Sequence, residues 1–217
     1  YPLRINYDSG SRLNMLLAIL DIETTSKLPH TKIGAIGVSI IDTDKFGEYL
    51  PEFYERVNLF CPHNVTRIED LATLTWWGEQ RTKHPEAFKE VFDKSLKRLS
   101  LQDTLIALSE FLIETFGSTK NVRIVGNGPE FDCSILVNAF EHVGIEVPWT
   151  FFKQDSVRTF VTMYEIKYGI RITHEIPFTG VKHHALHDAR WEAEVCAAVI
   201  RDYLLTNHIP LELTCPP

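Results

Sequence analysis

The segment Leu16-Leu17-Ala18-Ile19-Leu20-Asp21-Ile22-Glu23 limits the possible folds most tightly. Its five leading apolar residues show no polar alternation, so a strand here is covered on both faces, as an interior strand of a sheet flanked by helices is. Thr24-Thr25-Ser26 then takes the chain into a polar loop. Side chains alternate along a strand, so Asp21 and Glu23 share one face. Two adjacent acids on a buried face repel each other unless a positive charge lies between them. They are therefore either a cation site or a pair exposed where the strand ends.

Ile33–Asp42 and Phe53–Phe60 read as the next two strands, and three strands joined by short connections suggest an antiparallel meander. From Ile68 to Glu90 the pattern turns helical and aromatic. Leu105, Leu108, Phe111, Leu112, Thr115 and Phe116 then recur at helical spacing, with Ser100 and Asp103 as an acidic capping box and Gly117 as the stop. Val122–Val125 is a further buried strand. Pro129 suits the first turn of the following helix, whose stripe is Cys133, Leu136, Val137, Phe140 and Val143, closed by Gly144. Another helix is expected from near Asp155. A long last one, from about Ala185 to Leu205, buries Ala189, Ala193, Cys196, Val199, Ile200, Tyr203 and Leu204. Strands followed by alternating helices and strands define a mixed α/β domain. Residues 1–14 lack periodicity and precede the first Met, so they read as a tag or leader outside a single domain over 15–217.

Composition narrows the function classes. Of 217 residues, 22 are Lys or Arg and 29 are Asp or Glu, a formal charge of −7, so no global basic footprint marks a nucleic-acid binder. Any such binding is local. The longest apolar run, Met15–Leu20, is far short of the roughly 20 residues of a membrane span, and no secretory signal precedes it, which makes a cytoplasmic protein the default expectation. Cys61, Cys133, Cys196 and Cys215 form no CxxC pair and read as small core residues.

Further ionisable groups fall where charge is costly or suggestive. Asp132 lies in the first turn of the helix after Val125, where the helix dipole alone favours an acid. Asp188 sits about 80° from the centre of the last helix's apolar face, a flank position. Within His183-His184-Ala185-Leu186-His187-Asp188, three of the nine histidines cluster before an acid, a pattern that serves metals or proton transfer. Helical geometry pairs His184 with Asp188, so His183 converges with Asp188 only from a loop before the helix. His187 points away from the buried face and reads as a surface residue.

Asp21-Ile22-Glu23-Thr24-Thr25, then Asn127-Gly128-Pro129-Glu130-Phe131-Asp132, then His183 followed after four residues by Asp188, resemble the three motifs of the DEDDh class of 3′–5′ exonucleases. Thr73-Leu74-Thr75-Trp76-Trp77, Pro148-Trp149, Val157-Arg158-Thr159 and Ile176-Pro177-Phe178 are similar to the phage and prophage exonuclease VIII-like branch, itself similar to a mycobacterial 3′–5′ exoribonuclease. The resemblance implies a ribonuclease-H-like fold, a mixed five-stranded sheet with helices on both sides. It implies two divalent cations, Mg²⁺ or Mn²⁺, on Asp21, Glu23, Asp132 and Asp188, with Asp21 bridging and His183 as general base. The substrate implied is the 3′ end of single-stranded DNA or RNA, released as nucleoside 5′-monophosphates. Trp76 or Trp77 could stack a terminal base or anchor a helix, Phe131 could contact substrate or pack in the core, and Arg158 and Arg190 could reach phosphate or pair with acids. Backbone groups around Thr24 would hold the terminal 3′ hydroxyl. Related exonucleases commonly form homodimers, but no interface signature is visible here. Two bound divalent ions would bring the formal charge from −7 to about −3, which favours a short single-stranded footprint over tracking of a duplex.

Two rival readings remain open. A ribonuclease H or resolvase-type endonuclease would also use carboxylates and two metals, yet would not need the histidine before the last acid. A non-catalytic zinc-stabilised binding module could use His183, His184, His187 and Asp188, but leaves Asp21, Glu23 and Asp132 without a role.

Overall fold

The computed structural model describes residues 15–48 and 50–206; the expected leader over residues 1–14, and Cys215, lie outside the described residues. Strands β1 (Leu16–Thr24), β2 (Ile33–Asp42), β3 (Glu52–Arg56), β4 (Ile124–Gly126) and β5 (Gln154–Ser156) form one sheet in the order β3-β2-β1-β4-β5. β1 and β2 pair antiparallel, as do β2 and β3, whereas β4 runs parallel to β1 and β5 parallel to β4. Helices among the described residues are α1 (Pro62–Val65), α2 (Leu71–Lys83), α3 (Pro85–Phe92), α4 (Leu101–Phe116), α5 (Asp132–Val143), α6 (Val157–Tyr168) and α7 (Ala185–Thr206).

β1 is the central strand, and its two faces build two different cores. Ala18, Leu20 and Ile22 pack with Leu105, Leu108 and Leu112 of α4 and with Leu136 and Phe140 of α5. On the opposite face Leu17 and Ile19 meet Val125 of β4, Val161 of α6, and Ala193, Cys196 and Val199 of α7. Full burial of each such aliphatic side chain contributes about 1.5–3 kcal/mol, which is why the apolar run must be interior. Continuing the alternation past Ile19 puts Asp21 and Glu23 on the α7 face. A third, smaller cluster of Leu59, Trp77, Ala87 and Val91 seats α2 and α3 beside the end of β1.

Local chemistry sets the ends of these elements. Ser100 accepts the Asp103 N–H at 3.0 Å to start α4, and Gly117 closes it at φ 72°. Asp70 starts α2 by accepting the Thr73 N–H at 2.7 Å, while its own N–H donates to the Thr25 carbonyl at 3.0 Å. This second bond ties α2 to the loop leaving β1. Buried Arg67 clamps the β1–β2 loop, donating to the carbonyls of Thr31 (2.5 Å) and Pro29 (2.9 Å) and to Asn138 Oδ1 (3.1 Å).

Several boundaries differ from the sequence expectation. β3 ends at Arg56, because Asn58 Oδ1 accepts the Phe60 N–H at 2.9 Å and turns the chain. The helical stretch from Ile68 to Glu90 is two helices, broken at His84 where Pro85 opens α3. Pro129 stands in the loop before α5, which begins at Asp132. Asp155 belongs to β5, and the next helix begins at Val157. Tyr203 is exposed, because the last turn of α7 runs beyond the apolar cluster that ends at Val199 and Ile200.

Candidate active site

Asp21, Glu23 and Asp188 come together at the carboxyl end of β1, each offering an oxygen within 4.8 Å of the others. They converge because Asp21 and Glu23 share the α7 face and α7 begins against that end of the sheet. Gly37, the partner of Asp21 across β2, makes this approach possible. A Cβ at Gly37 would lie 2.4 Å from the backbone of Ala185 and Leu186, so any side chain there would push the first turn of α7 off the sheet. Gly126 does the same for Asp132, whose Oδ2 stands 2.8 Å from where a Cβ would be.

Crowded burial raises every one of these acids. Desolvation, followed by the charges of Glu23, Glu192, Asp132 and Asp188, pushes Asp21 well above the usual carboxylate range. Glu23 rises for the same reason, with Asp188 its strongest charged neighbour. Burial lifts Asp132 to about 7 despite backbone N–H donors at the start of α5, and lifts Asp188 to about 6. All of these shifts disfavour the anions in the absence of a cation. A hard divalent ion matched to oxygen donors reverses the balance, and the residues present fit such an ion.

His183 lies in the loop before α7 with φ 65°, a left-handed conformation uncommon for a residue other than glycine. The Asp188 carboxylate accepts backbone N–H groups of His183 and His184, which pins this turn. The His183 ring meets Trp76 edge-on at 4.9 Å and His84 at 5.3 Å. Burial, then the charges of His84 and Lys182, hold its pKa below the usual histidine value, so the imidazole is neutral at pH 7.

The two tryptophans separate cleanly. Trp77 is buried and donates its Nε1–H to the Thr24 carbonyl at 2.8 Å, whereas Trp76 is 37% exposed beside His183. Thr24 is buried, and its hydroxyl donates to the Ser26 carbonyl at 2.8 Å. Phe131 packs partly against the α4–α5 core. Arg158 pairs with Glu130 at 2.9 Å, both exposed, and Arg190 pairs with Glu52. His187 is not a free surface residue: its Nδ1 accepts the Val181 N–H at 3.0 Å and its ring stacks on His184 at 4.0 Å. His184 itself lies stacked on Tyr54 with its pKa lowered by burial to about 4. Stacked face to face, these rings do not converge with His183 and Asp188 as tetrahedral zinc ligands would.

Sequence reasoning passed over Glu192. It is 3% exposed, and one carboxylate oxygen accepts from Asn127 Nδ2 at 2.6 Å. Its signal was present: at 100° per residue, Glu192 falls between Ala189 and Val199 of the apolar stripe, nearer the centre than Asp188.

Solved nucleases share this architecture. The nuclease domain of 3′hExo, a DEDDh family member bound to rAMP, superposes with TM-score 0.61 at 13% identity, covering 88% of this chain and 94% of that one. Cell-death related nuclease 4 (CRN-4) gives TM-score 0.62 at 16% identity over 86% of this chain and 64% of that one. Pop2p of S. pombe, in its Mg²⁺- and Mn²⁺-bound form, gives 0.53 at 13% identity over 87% and 84%. No curated protein matches the sequence. Fold, acidic cluster and sequence family together define a nuclease hydrolase of the 3′–5′ exonuclease class. Within it, the sequence model of the 3′-5′ exoribonuclease Rv2179c-like domain matches residues 17–200, and the chain belongs to that family.

Proposed function

We propose that the protein removes nucleotides from the 3′ end of single-stranded RNA, releasing nucleoside 5′-monophosphates, with His183 as the general base. The observation that carries this reading is the convergence of Asp21, Glu23 and Asp188 within 4.8 Å at the start of the helix into which the left-handed His183 turn leads. Asp21, Glu23, Asp132 and Asp188 would hold two divalent ions, Mg²⁺ or Mn²⁺. Such a pair supplies charge stabilisation to the attacking and leaving oxygens of phosphodiester cleavage.

His183 takes a proton from water. Its depressed pKa favours the unprotonated ring at neutral pH, and the backbone N–H groups of its turn face the Asp188 carboxylate. Trp76 offers an exposed ring next to that base, suited to stacking a terminal base, an interaction worth roughly 1–3 kcal/mol. Trp77 instead anchors α2 to β1. Phe131 and the backbone around Thr24 border the terminal nucleotide. RNA is preferred over DNA on the family's exoribonuclease description. The tryptophan pair in the middle of α2 keeps the phage and prophage exonuclease VIII-like branch within this reading.

Matched RNA and DNA oligonucleotides, single and double stranded, labelled at either end, would be incubated with Mg²⁺, Mn²⁺ or EDTA alongside a circular single strand. A ladder shortening from the 3′ end of linear RNA, lost in EDTA and absent from circles, is expected. Cutting of circles would establish an endonuclease instead, and cleavage in EDTA would remove the metal from the reading.

A further inference from the structure

Glu192 follows Asp188 by four residues on α7, so both project from one face of the helix. That face is otherwise small and apolar, with Ala189, Ala193 and Cys196 all buried. One Glu192 oxygen is satisfied by Asn127, which directly follows the end of β4 and whose carbonyl accepts from Ser156 Oγ at 3.1 Å. The other, Oε2, is buried and has no hydrogen-bond partner. Holding Asn127 in place needs a single acceptor, which a glutamine supplies without charge. An unpartnered anionic oxygen in a site walled by Asp21, Asp132 and Asp188 costs several kcal/mol unless a cation faces it.

The neighbours indicate which cation. The carboxylates around Asp21 fall into two groups by the elements that place them. One group is Glu23 with Asp188, whose oxygens close on Asp21 within 4.8 Å. The other is Asp132 with Glu192, gathered at the end of β4: Asp132 packs over Gly126, the partner of Leu20 next to Asp21, and Glu192 is bonded to Asn127, the residue after Gly126. We propose that Glu192 is a fifth carboxylate of the metal centre, sharing with Asp21 and Asp132 a divalent cation separate from the one framed by Asp21, Glu23 and Asp188. The inference rests on the reading of the site as a metal centre, given above.

Titration of the purified chain with Mn²⁺, followed by calorimetry and by the loss of the free-ion paramagnetic resonance signal, tests this directly. Wild type is expected to bind two ions. Glu192→Gln keeps the volume and an acceptor for Asn127, and is expected to weaken one of the two sites by tenfold or more while leaving the other unchanged. Glu192→Asp, which retracts the charge by one methylene, should fall between them. In wild type, the Asn127 side-chain amide resonance should shift with one equivalent of Mg²⁺ and not with the other. A Glu192→Gln isotherm superimposable on wild type, or an Asn127 signal blind to Mg²⁺, would overturn the assignment. Two bound Mn²⁺ ions in a wild-type protein that leaves RNA intact would refute the proposed function while leaving Glu192 as a ligand. No Mn²⁺ binding by wild type would refute both.

Discussion

Replacing Asp132 with Asn should make the metal-free protein more stable while removing one of the proposed metal ligands. Asp132 is 2% exposed, and burial raises its pKa from 3.8 to about 7. A shift of that size corresponds to about 4 kcal/mol of preference for the neutral form. Between these two values the native state binds the proton and the unfolded chain releases it, so stability falls as pH rises through this window and levels off above about 7. The wild type in EDTA should therefore lose roughly 2–3 kcal/mol between pH 5 and pH 8 from this group alone. Asn carries no charge to bury, and its Oδ1 still accepts from the start of α5. At pH 8 in EDTA, Asp132→Asn should gain on the order of 2–4 kcal/mol, a melting-temperature rise of roughly 5–15 °C for a chain of this size. Urea unfolding at pH 5 and pH 8, with EDTA and with excess Mg²⁺, measures it. Added Mg²⁺ should raise the wild type more than the variant, narrowing the gap. A variant less stable than wild type at pH 8 in EDTA, or a wild type equally stable at both pH values, would refute the electrostatic reasoning.

His183→Ala should lower kcat by at least about 100-fold while leaving Mn²⁺ binding and the melting temperature near wild type; unchanged turnover would remove its role as base. Trp76→Ala should act mainly on KM, with Trp76→Phe recovering most of the loss, whereas Trp77→Ala should destabilise the fold by about 3–5 kcal/mol in thermal unfolding. Gly37→Ala should separate α7 from β2 and reduce metal affinity and stability together, and a variant with wild-type melting and Mn²⁺ binding would contradict the 2.4 Å approach. Arg67→Met leaves the Pro29 and Thr31 carbonyls without their donor, an expected cost of about 2–4 kcal/mol in urea unfolding.

What could be read from the sequence follows from where burial leaves a pattern. β1 was legible because an interior strand must be apolar on both faces, and α4 because Ser100, Gly117 and its leucine spacing agree. β5 left no trace: Gln154-Asp155-Ser156 is polar and three residues long, held by backbone pairing to β4 and by polar bonds of Asp155 to Arg123 and of Ser156 to the Asn127 carbonyl rather than by apolar burial. The split at His84 was written in Pro85, but the continuing aromatic pattern masked it. Neighbouring tryptophans 100° apart on one helix carry no information about which points inward. Only the Thr24 carbonyl, distant in sequence, decides for Trp77. The convergence of Asp21, Glu23 and Asp188 was readable through their motifs and order. Glu192 was not, since an acid in the middle of a long helix resembles an ordinary solvated residue until the apolar stripe around it is measured.

Gly37 has a consequence for how the molecule comes into being. The carboxylates belong to the first strand, the middle of the chain and the final helix, so they meet only through contacts of long sequence separation, which form late and raise the barrier to folding. Docking of α7 on Gly37 is the event that carries Asp188 and the His183 turn to β1. A chain still being synthesised, or one whose last helix has opened, holds Asp21 and Glu23 without their third partner and without the His183 turn. The capacity to chelate an ion is thus coupled to completion of the fold, and incompletely folded copies are inert by construction.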